Sequence, residues 1–188
     1  MQKTNIDHNT GIWIGDELHK MHKFDKGLCK SLCDFFEENG GNVVDLGCGY
    51  GQYVEKISEI TECFGYDGNP YTESITNGLC KVVKLHEPLN YKRKTDWVLS
   101  LEVGNHIPEK YEDVFINNIH KTCGRGIIIS WATTHQGGRF QFNKRNNDYI
   151  INKFQKLGYT YDSKLAYKFR NDSSCLWFKK SLMVFMKK

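Results

Sequence analysis

The chain has 188 residues and a net charge of +4, with 39% hydrophobic and 26% charged residues. This length fits one domain with one sizeable core, and the balance of apolar and charged residues excludes a disordered chain. No apolar run approaches the about 20 residues that a transmembrane helix requires, and the first residues lack the apolar stretch of a secretory signal. The modest positive charge is not typical of a nucleic-acid domain, whose isoelectric point exceeds about 9.

Cysteine usage indicates a reducing compartment. The seven cysteines are an odd number with no regular spacing, at positions 29, 33, 48, 63, 80, 123 and 175. Cys29 and Cys33 could share one face of a helix, but no nearby histidine or cysteine pair completes the four ligands of a structural zinc. We therefore predict free thiols and a cytoplasmic protein.

The N-terminal part of the chain is predicted to contain one long helix. Residues 1–15 have no clear periodicity, and Trp13 is their only large apolar anchor. From residue 16 to residue 39 the apolar residues recur at helical spacing, and Gly40 and Gly41 end the pattern.

After this helix the pattern alternates between short apolar strands and helices. The predicted strands cover residues 43–46, 62–66, 81–85, 96–101, 125–131, 159–161 and 181–185. The predicted helices cover 53–60, a short segment from about Asn69, 108–121 and 149–157, and residues 132–147 form a polar loop. Such alternation predicts an α/β fold, in which a seven-stranded, mostly parallel sheet has helices on both faces.

The most informative motif follows the first strand. Asp45 precedes a turn with glycine at every second position, Gly47, Gly49 and Gly51. Glycine lets the backbone adopt positive φ and approach a ligand closely. The third glycine lies one residue too early for the dinucleotide fingerprint. Asp67 ends the second strand, 20 residues after Gly47, where an acid can bind both ribose hydroxyls. The pattern suits an adenosine whose other end is positively charged and is not a pyrophosphate.

This D-x-G-x-G-x-G motif, together with the acid after the second strand, resembles the class I S-adenosylmethionine-dependent methyltransferases over most of the chain. The resemblance implies a Rossmann-like fold, S-adenosylmethionine as cofactor and S-adenosylhomocysteine as product. It implies that the glycine turn, with Cys48 and Tyr50, passes the methionine part, that Asp45 organises its ammonium, and that Asp67 holds the ribose. Further cofactor contacts are expected at Gly68 and Leu85 near the adenine, and at Glu102 and His22.

Two positions depart from the family pattern. Lys84-Leu85-His86 stands where relatives often have an acid facing the adenine amine, so backbone groups and Leu85 would hold the adenine. The fourth strand ends in L-E-V-G-N-H-I-P, in which Asn105 replaces the second acid of related small-molecule enzymes. Because asparagine is a poorer ligand for a divalent ion than a carboxylate, no metal is expected.

Candidate acceptor residues follow the fourth and fifth strands, at the edge where ligands bind in open α/β sheets. His106 is the first candidate for a general base; the alternative is a histidine that caps the next helix or bonds a neighbour. His135 is the reserve base. Polar and aromatic residues of the following loop are expected to bind a polyhydroxy acceptor, although a solvated surface loop has a similar composition. These substrate-binding candidates are Trp131, Gln136, Arg139 and Asn143.

The predicted organisation is a single methyltransferase domain over residues 1–188. Residues 1–40 form an N-terminal helix and lid, 41–131 the cofactor-binding half, and 132–188 the acceptor-side half. The S-W-A-x-x-x-Q-G-G segment from Ser130 resembles small class I methyltransferases, some of them from polysaccharide gene clusters. We therefore expect O-methylation of a small-molecule hydroxyl, with a sugar or nucleotide-sugar as the leading acceptor.

Two other functions stay open. Lysines at 20, 23, 26 and 30 and the Lys92-Arg93-Lys94 run would suit an RNA methyltransferase, although the Asn/Asp-Pro-Pro-aromatic motif of amino-group enzymes is missing after the fourth strand. A non-catalytic module that keeps the cofactor fold as an interface is the third reading. The sequence does not specify the oligomeric state.

Overall fold

The computed structural model describes residues 5–16, 22–90 and 94–188. Its first element is a small antiparallel hairpin of β1 (Asn5–Ile6) and β2 (Trp13–Ile14). The prediction that residues 1–15 are irregular is therefore wrong for these strands, which are too short for an alternating pattern to show in the sequence.

A seven-stranded sheet forms the centre of the molecule, with the order β5-β4-β3-β6-β7-β9-β8. The five strands from β5 to β7 in this order are parallel to their neighbours, and β9 runs antiparallel to both β7 and β8. This confirms the predicted mostly parallel sheet. The strands are β3 (Val43–Leu46), β4 (Cys63–Asp67), β5 (Cys80–Val82), β6 (Thr95–Leu101), β7 (Cys123–Ser130), β8 (Tyr159–Tyr161) and β9 (Leu182–Lys187).

Helices connect these strands. They are α1 (Lys26–Asn39), α2 (Gln52–Ile57), α3 (Thr72–Ile75), α4 (Glu112–Thr122), α5 (Asn147–Lys156), α6 (Ser163–Asp172) and α7 (Phe178–Ser181). The predicted helix over 108–121 is divided into a 3₁₀ turn at Glu109–Tyr111 and α4. Helices α6 and α7 were not predicted. No helix among the described residues is both long enough and apolar enough to cross a membrane.

Two hydrophobic cores cover the faces of the sheet. Successive residues of a strand point to opposite faces, and β7 shows this alternation clearly. Ile127 and Ile129 belong to the core that contains Phe115 of α4, whereas Ile128 belongs to the core that contains Leu32 of α1. Because both faces are buried here, the run from Ile127 to Ile129 is apolar at every position, as the sequence indicated.

The start of α1 differs from the prediction. The helix begins at Lys26, and residues 22–25 lie outside it. Residues 17–21, which include part of the predicted helix, lie outside the described residues. Asp25 is the N-cap, and its carboxylate accepts the backbone N–H of Leu28. In the sequence, the helical spacing of apolar residues therefore extends to the N-terminal side of Asp25, the residue that caps the start of the helix.

Asp25 also joins the two ends of the chain. Its carboxylate is fully buried and accepts from the hydroxyl of Ser173 and the backbone N–H groups of Ser174 and Cys175. Burial alone would raise the pKa of Asp25, but the hydrogen bonds from Leu28, Ser173 and Cys175 hold it well below its usual range. These donors stabilise the charged form, so Asp25 is a structural anchor.

We expect Asp25→Ala to lower the free energy of unfolding by about 2–4 kcal/mol, because several buried donors lose their acceptor. Asp162→Ala is the matched control: Asp162 caps α6 through Leu165 alone and should cost about 1 kcal/mol. Because the folded-state pKa of Asp25 is depressed, its contribution is complete above the unfolded value of 3.8 and is lost as the pH falls below it. Urea unfolding at pH 7 and pH 3 measures both effects, and equal costs for the two variants would contradict the anchor role.

Candidate functional site

The glycine turn connects β3 to α2 at the carboxyl edge of the sheet. The backbone N–H groups of Gly47 and Cys48 donate to the carbonyl of Tyr66, at 2.7 and 3.1 Å. Beyond them, the Gly49 N–H donates to Asp67 Oδ2 at 2.9 Å, and the Asn69 N–H donates to Oδ1 of the same carboxylate at 2.9 Å. Two backbone groups thus fix the orientation of the Asp67 carboxylate beside the turn.

Glycine is required at two positions of this turn for steric reasons. Gly47 has a φ of 92°, and a Cβ there would lie 2.2 Å from Cγ2 of Val103. Gly49 has a φ of 54°, and its Cβ would lie 2.4 Å from Nδ1 of His22. The segment that contains His22 therefore lies directly against the turn.

A cavity of about 750 Å³ opens at this edge. This volume is within the about 300–1,000 Å³ typical of small-molecule and cofactor sites. Ten of the eleven predicted cofactor residues line it: His22, Asp45, Gly47, Cys48, Gly49, Tyr50, Asp67, Gly68, Leu85 and Glu102. Gly51 does not. It is the N-cap of α2, and a Cβ there would lie 2.9 Å from Sγ of Cys80, so its role is to turn the chain.

Asp45 is a buried acid on the cavity wall. Burial raises the pKa of Asp45 well above its usual value, and the nearby Cys80 thiol and Asp67 carboxylate add to this effect. A cation bound in the cavity would stabilise the charged carboxylate. This environment fits the ammonium group of an amino acid moiety, while the oriented Asp67 carboxylate fits ribose hydroxyls.

His106 lies on the same cavity wall, in contact with two aromatic residues. Its Nδ1 lies 2.8 Å from the carbonyl oxygen of Phe140, and the ring of Trp13 lies edge-on at 5.3 Å. Because a carbonyl only accepts, Nδ1 carries the proton and Nε2 keeps its lone pair. Burial lowers the pKa of His106, and the charge of His22 lowers it further, against the opposite effect of the Phe140 carbonyl. The imidazole is therefore neutral at pH 7 and can accept a proton.

Glu102 follows β6 in a strained backbone conformation, with a φ of 56°. Gln136 donates to Oε2 of Glu102 at 2.7 Å, and the Ser181 hydroxyl donates to Oε1 at 3.0 Å. Burial raises the pKa of Glu102. The carboxylate thus joins the predicted cofactor region to the loop that follows β7.

The tip of that loop lies at the cavity, and the two ends of the loop are buried in the protein. Gln136 and Arg139 line the cavity, as predicted for acceptor contacts. Trp131 and Asn143 do not. Trp131 is completely buried, and its Nε1–H donates to the backbone carbonyl of Asn143 at 2.6 Å. The expectation that these two residues face an acceptor is corrected: the indole packs in the core, and the apolar character of Trp131 outweighs its position in a polar loop.

Glu112 fixes the far end of the loop. Its carboxylate is buried and accepts from Asn143 Nδ2 at 3.1 Å, from Arg145 Nε at 2.8 Å and from the Tyr149 hydroxyl at 2.5 Å. Burial alone would raise the pKa of Glu112, but these donors lower it below the usual value. The ends of the loop are therefore fixed, while its tip faces the cavity.

His135, the reserve base, lies elsewhere. It lines a neighbouring cleft that shares Gln136, Gly137 and Trp177 with the cavity. The structure therefore does not place His135 beside His106 on the wall of the main cavity.

Sequence reasoning missed a second set of lining residues. The hairpin contributes Thr10, Gly11, Ile12 and Trp13, and the remaining aromatic wall consists of Phe24, Tyr53, Trp177 and Phe178. Trp13 was the one large apolar residue of an apparently irregular segment, and its size was the only sign in the sequence that this segment reaches the cavity. Trp177 and Phe178 come from a connection near the C-terminus, and no local pattern links them to the glycine turn.

A family model for methyltransferase domains matches residues 19–160. The chain belongs to this methyltransferase family. The methyltransferase uses S-adenosylmethionine, which agrees with the ammonium-type and ribose-type environments of Asp45 and Asp67. No match was found among curated proteins. Within the described residues, no cluster of three histidine, cysteine, aspartate or glutamate side chains could hold a metal ion.

Solved structures share the fold of the methyltransferase at low sequence identity. Magnesium protoporphyrin IX methyltransferase from Synechocystis PCC 6803, with bound SAH, has a TM-score of 0.66 at 14% identity, over 85% of this chain and 82% of its own. A TehB-like SAM-dependent methyltransferase from Corynebacterium glutamicum has a TM-score of 0.63 at 15% identity, over 91% and 92%. The 1,6-didemethyltoxoflavin-N1-methyltransferase from Burkholderia thailandensis has a TM-score of 0.60 at 13% identity, over 87% and 79%.

Proposed function

We propose that this methyltransferase transfers a methyl group to a hydroxyl of a small molecule, and that the acceptor is a sugar or a nucleotide-sugar. The observation that carries the proposal is His106: a neutral imidazole on the cavity wall, with Nδ1 committed to the Phe140 carbonyl and Nε2 available. A hydroxyl acceptor needs such a base, because it must lose its proton during transfer.

In this proposal, Asp45 and Asp67 bind the cofactor and His106 accepts the proton. When bound, S-adenosylmethionine supplies a methyl group activated by a sulfonium. Asp45 would hold the ammonium of the cofactor and Asp67 its ribose hydroxyls. His106 Nε2 would take the proton of the acceptor hydroxyl as the methyl group passes to the acceptor oxygen. Alignment can contribute about 7–11 kcal/mol and a general base about 10²–10⁴-fold.

The choice of a sugar rests on the mixture of polar and aromatic groups near His106. Gln136 and Arg139 offer hydrogen-bond partners, and the side chains of Trp177 and Tyr53 add aromatic surface. Because His135 lines the neighbouring cleft, the proposal assigns the base role to His106 alone. The remaining candidates, Trp131 and Asn143, support the loop from inside the protein.

Two structural relatives support a small-molecule acceptor. Magnesium protoporphyrin IX and 1,6-didemethyltoxoflavin, which their names contain, are small molecules. RNA therefore enters as an outcome of the test. We also propose that the chain acts as a single methyltransferase domain in the cytoplasm, which is supported by its seven free cysteines.

The experiment is transfer of a labelled methyl group from S-adenosylmethionine to an acceptor panel: sugars and nucleotide-sugars, phenols, amines and total RNA. Label on a sugar hydroxyl, lost in His106→Ala, is the expected result. Label on amines or RNA would overturn the proposal. Cofactor binding without transfer to any member would instead favour a non-catalytic module.

A further inference from the structure

Among the described residues, two cationic side chains on the cavity wall have no carboxylate partner. Lys23 follows His22 on the segment that packs against the glycine turn, and Arg139 lies at the tip of the loop after β7. The Lys23 ammonium lies 5.8 Å from the ring centre of Trp177, which also lines the cavity. In the part of the chain that the structure describes, neither side chain forms an ion pair or a hydrogen bond with a carboxylate.

The carboxylates of the cavity are engaged elsewhere. Glu102 accepts from Gln136 and Ser181, and Asp67 accepts from the backbone of Gly49 and Asn69. Asp45 lies at the glycine turn, in the part of the cavity assigned to the cofactor. Among the described residues, no carboxylate pairs with Lys23 or Arg139, so the two cations on the cavity wall can meet an anionic ligand.

We propose that the acceptor carries an anionic group, a carboxylate or a phosphate, which Lys23 and Arg139 bind while the hydroxyl to be methylated faces His106. This inference rests on the proposed function and narrows it to sugar acids, sugar phosphates and nucleotide-sugars. An arginine fork can bind either group through two parallel hydrogen bonds, and a lysine adds a point charge. Trp177, beneath the Lys23 ammonium, supplies a flat apolar surface for the ring that bears the anion.

The test is calorimetric titration of the protein saturated with S-adenosylhomocysteine. The probes are glucose 6-phosphate, glucuronate and neutral glucose, and the variants are Lys23→Gln, Arg139→Gln and the double variant. The matched control, Lys121→Gln with Lys164→Gln, removes the same charge from exposed lysines that do not line the cavity. We expect the anionic probes to bind at least about tenfold more tightly than glucose, and each single variant to weaken them by about tenfold.

Several outcomes would overturn the proposal. One is that glucose binds as tightly as the anionic probes, and another is that neither anionic probe binds. A third is that the control variant loses as much affinity for the anionic probes as the cavity variants do. A fall in S-adenosylhomocysteine affinity that parallels the loss in Lys23→Gln would assign that lysine to the cofactor carboxylate and also overturn it. Preference for phosphate over glucuronate, or the reverse, identifies the anion.

Failure of the proposed function would give a different combination of binding and methyl-transfer results. If the anionic probes bind through Lys23 and Arg139 but the labelled methyl group goes to amines or RNA, the anion site stands and sugar O-methylation fails. If sugars are methylated and charge has no influence, the function stands and the anion site fails.

Discussion

Replacing His106 by alanine should lower kcat by about 10²–10⁴-fold and leave the affinity for S-adenosylmethionine close to that of the wild type. In the proposed mechanism the imidazole takes the acceptor proton, whereas the proposed cofactor contacts are made by the glycine turn and Asp67. Labelled methyl transfer gives kcat, and calorimetric titration gives the cofactor Kd. His135→Ala is the matched control, because it removes a histidine that lines the neighbouring cleft and not the main cavity.

The pH profile provides an independent test of this role. A base acts in its neutral form, and burial lowers the pKa of His106 below the usual 6.5. Activity should therefore be constant above pH 7 and fall as the pH drops through this lowered value. Full activity in His106→Ala, or loss in His135→Ala instead, would assign the base elsewhere.

His22 should influence the same profile. Its positive charge, when protonated, lowers the pKa of His106. Replacing His22 by glutamine removes this repulsion, so the acid limb of the pH profile should move to higher pH. A purely structural role of His106 predicts no such movement.

The sheet could be predicted from the sequence because its strands are short and apolar on both faces. A run such as Ile127 to Ile129 can be recognised as a strand without knowledge of the neighbouring strands. The run is apolar because each residue packs into one of the two cores. The same holds for the glycine turn. Its spacing is a backbone requirement, as the close approach of Val103 and His22 to Gly47 and Gly49 shows. Local sequence therefore determines the glycine turn, the part of the site proposed to bind the cofactor.

The acceptor side depends on contacts between distant segments, and here the sequence was a weaker guide. Trp131 and Gln136 lie in one loop, yet the first is buried and the second lines the cavity. The indole of Trp131 donates to the Asn143 carbonyl inside the protein, whereas Gln136 donates to Glu102, which follows β6 and lines the cavity. Trp13 and Trp177 reach the cavity from the two ends of the chain. The periodicity of residues within one segment could not predict these contacts between distant segments.

Asp67→Asn is expected to weaken the binding of S-adenosylmethionine and S-adenosylhomocysteine by at least about 100-fold. In the proposed site the substitution removes charge-assisted hydrogen bonds from the carboxylate to the ribose, each worth about 1.5–3 kcal/mol. The amide also disturbs the turn. Both carboxylate oxygens accept backbone N–H groups, from Gly49 and Asn69, and the new NH₂ group must face one of these two donors.

Calorimetric titration of the cofactor product measures this loss, with Asp96→Asn as the control. Asp96 also accepts a backbone N–H, from Asn42, but lies near the start of β6, away from the cavity. An unchanged Kd in the control and a large loss in Asp67→Asn would separate the ribose contact from a general effect of removing a carboxylate. Because the substitution keeps the shape of the side chain, a folded Asp67→Asn protein with wild-type affinity would remove the ribose role from Asp67.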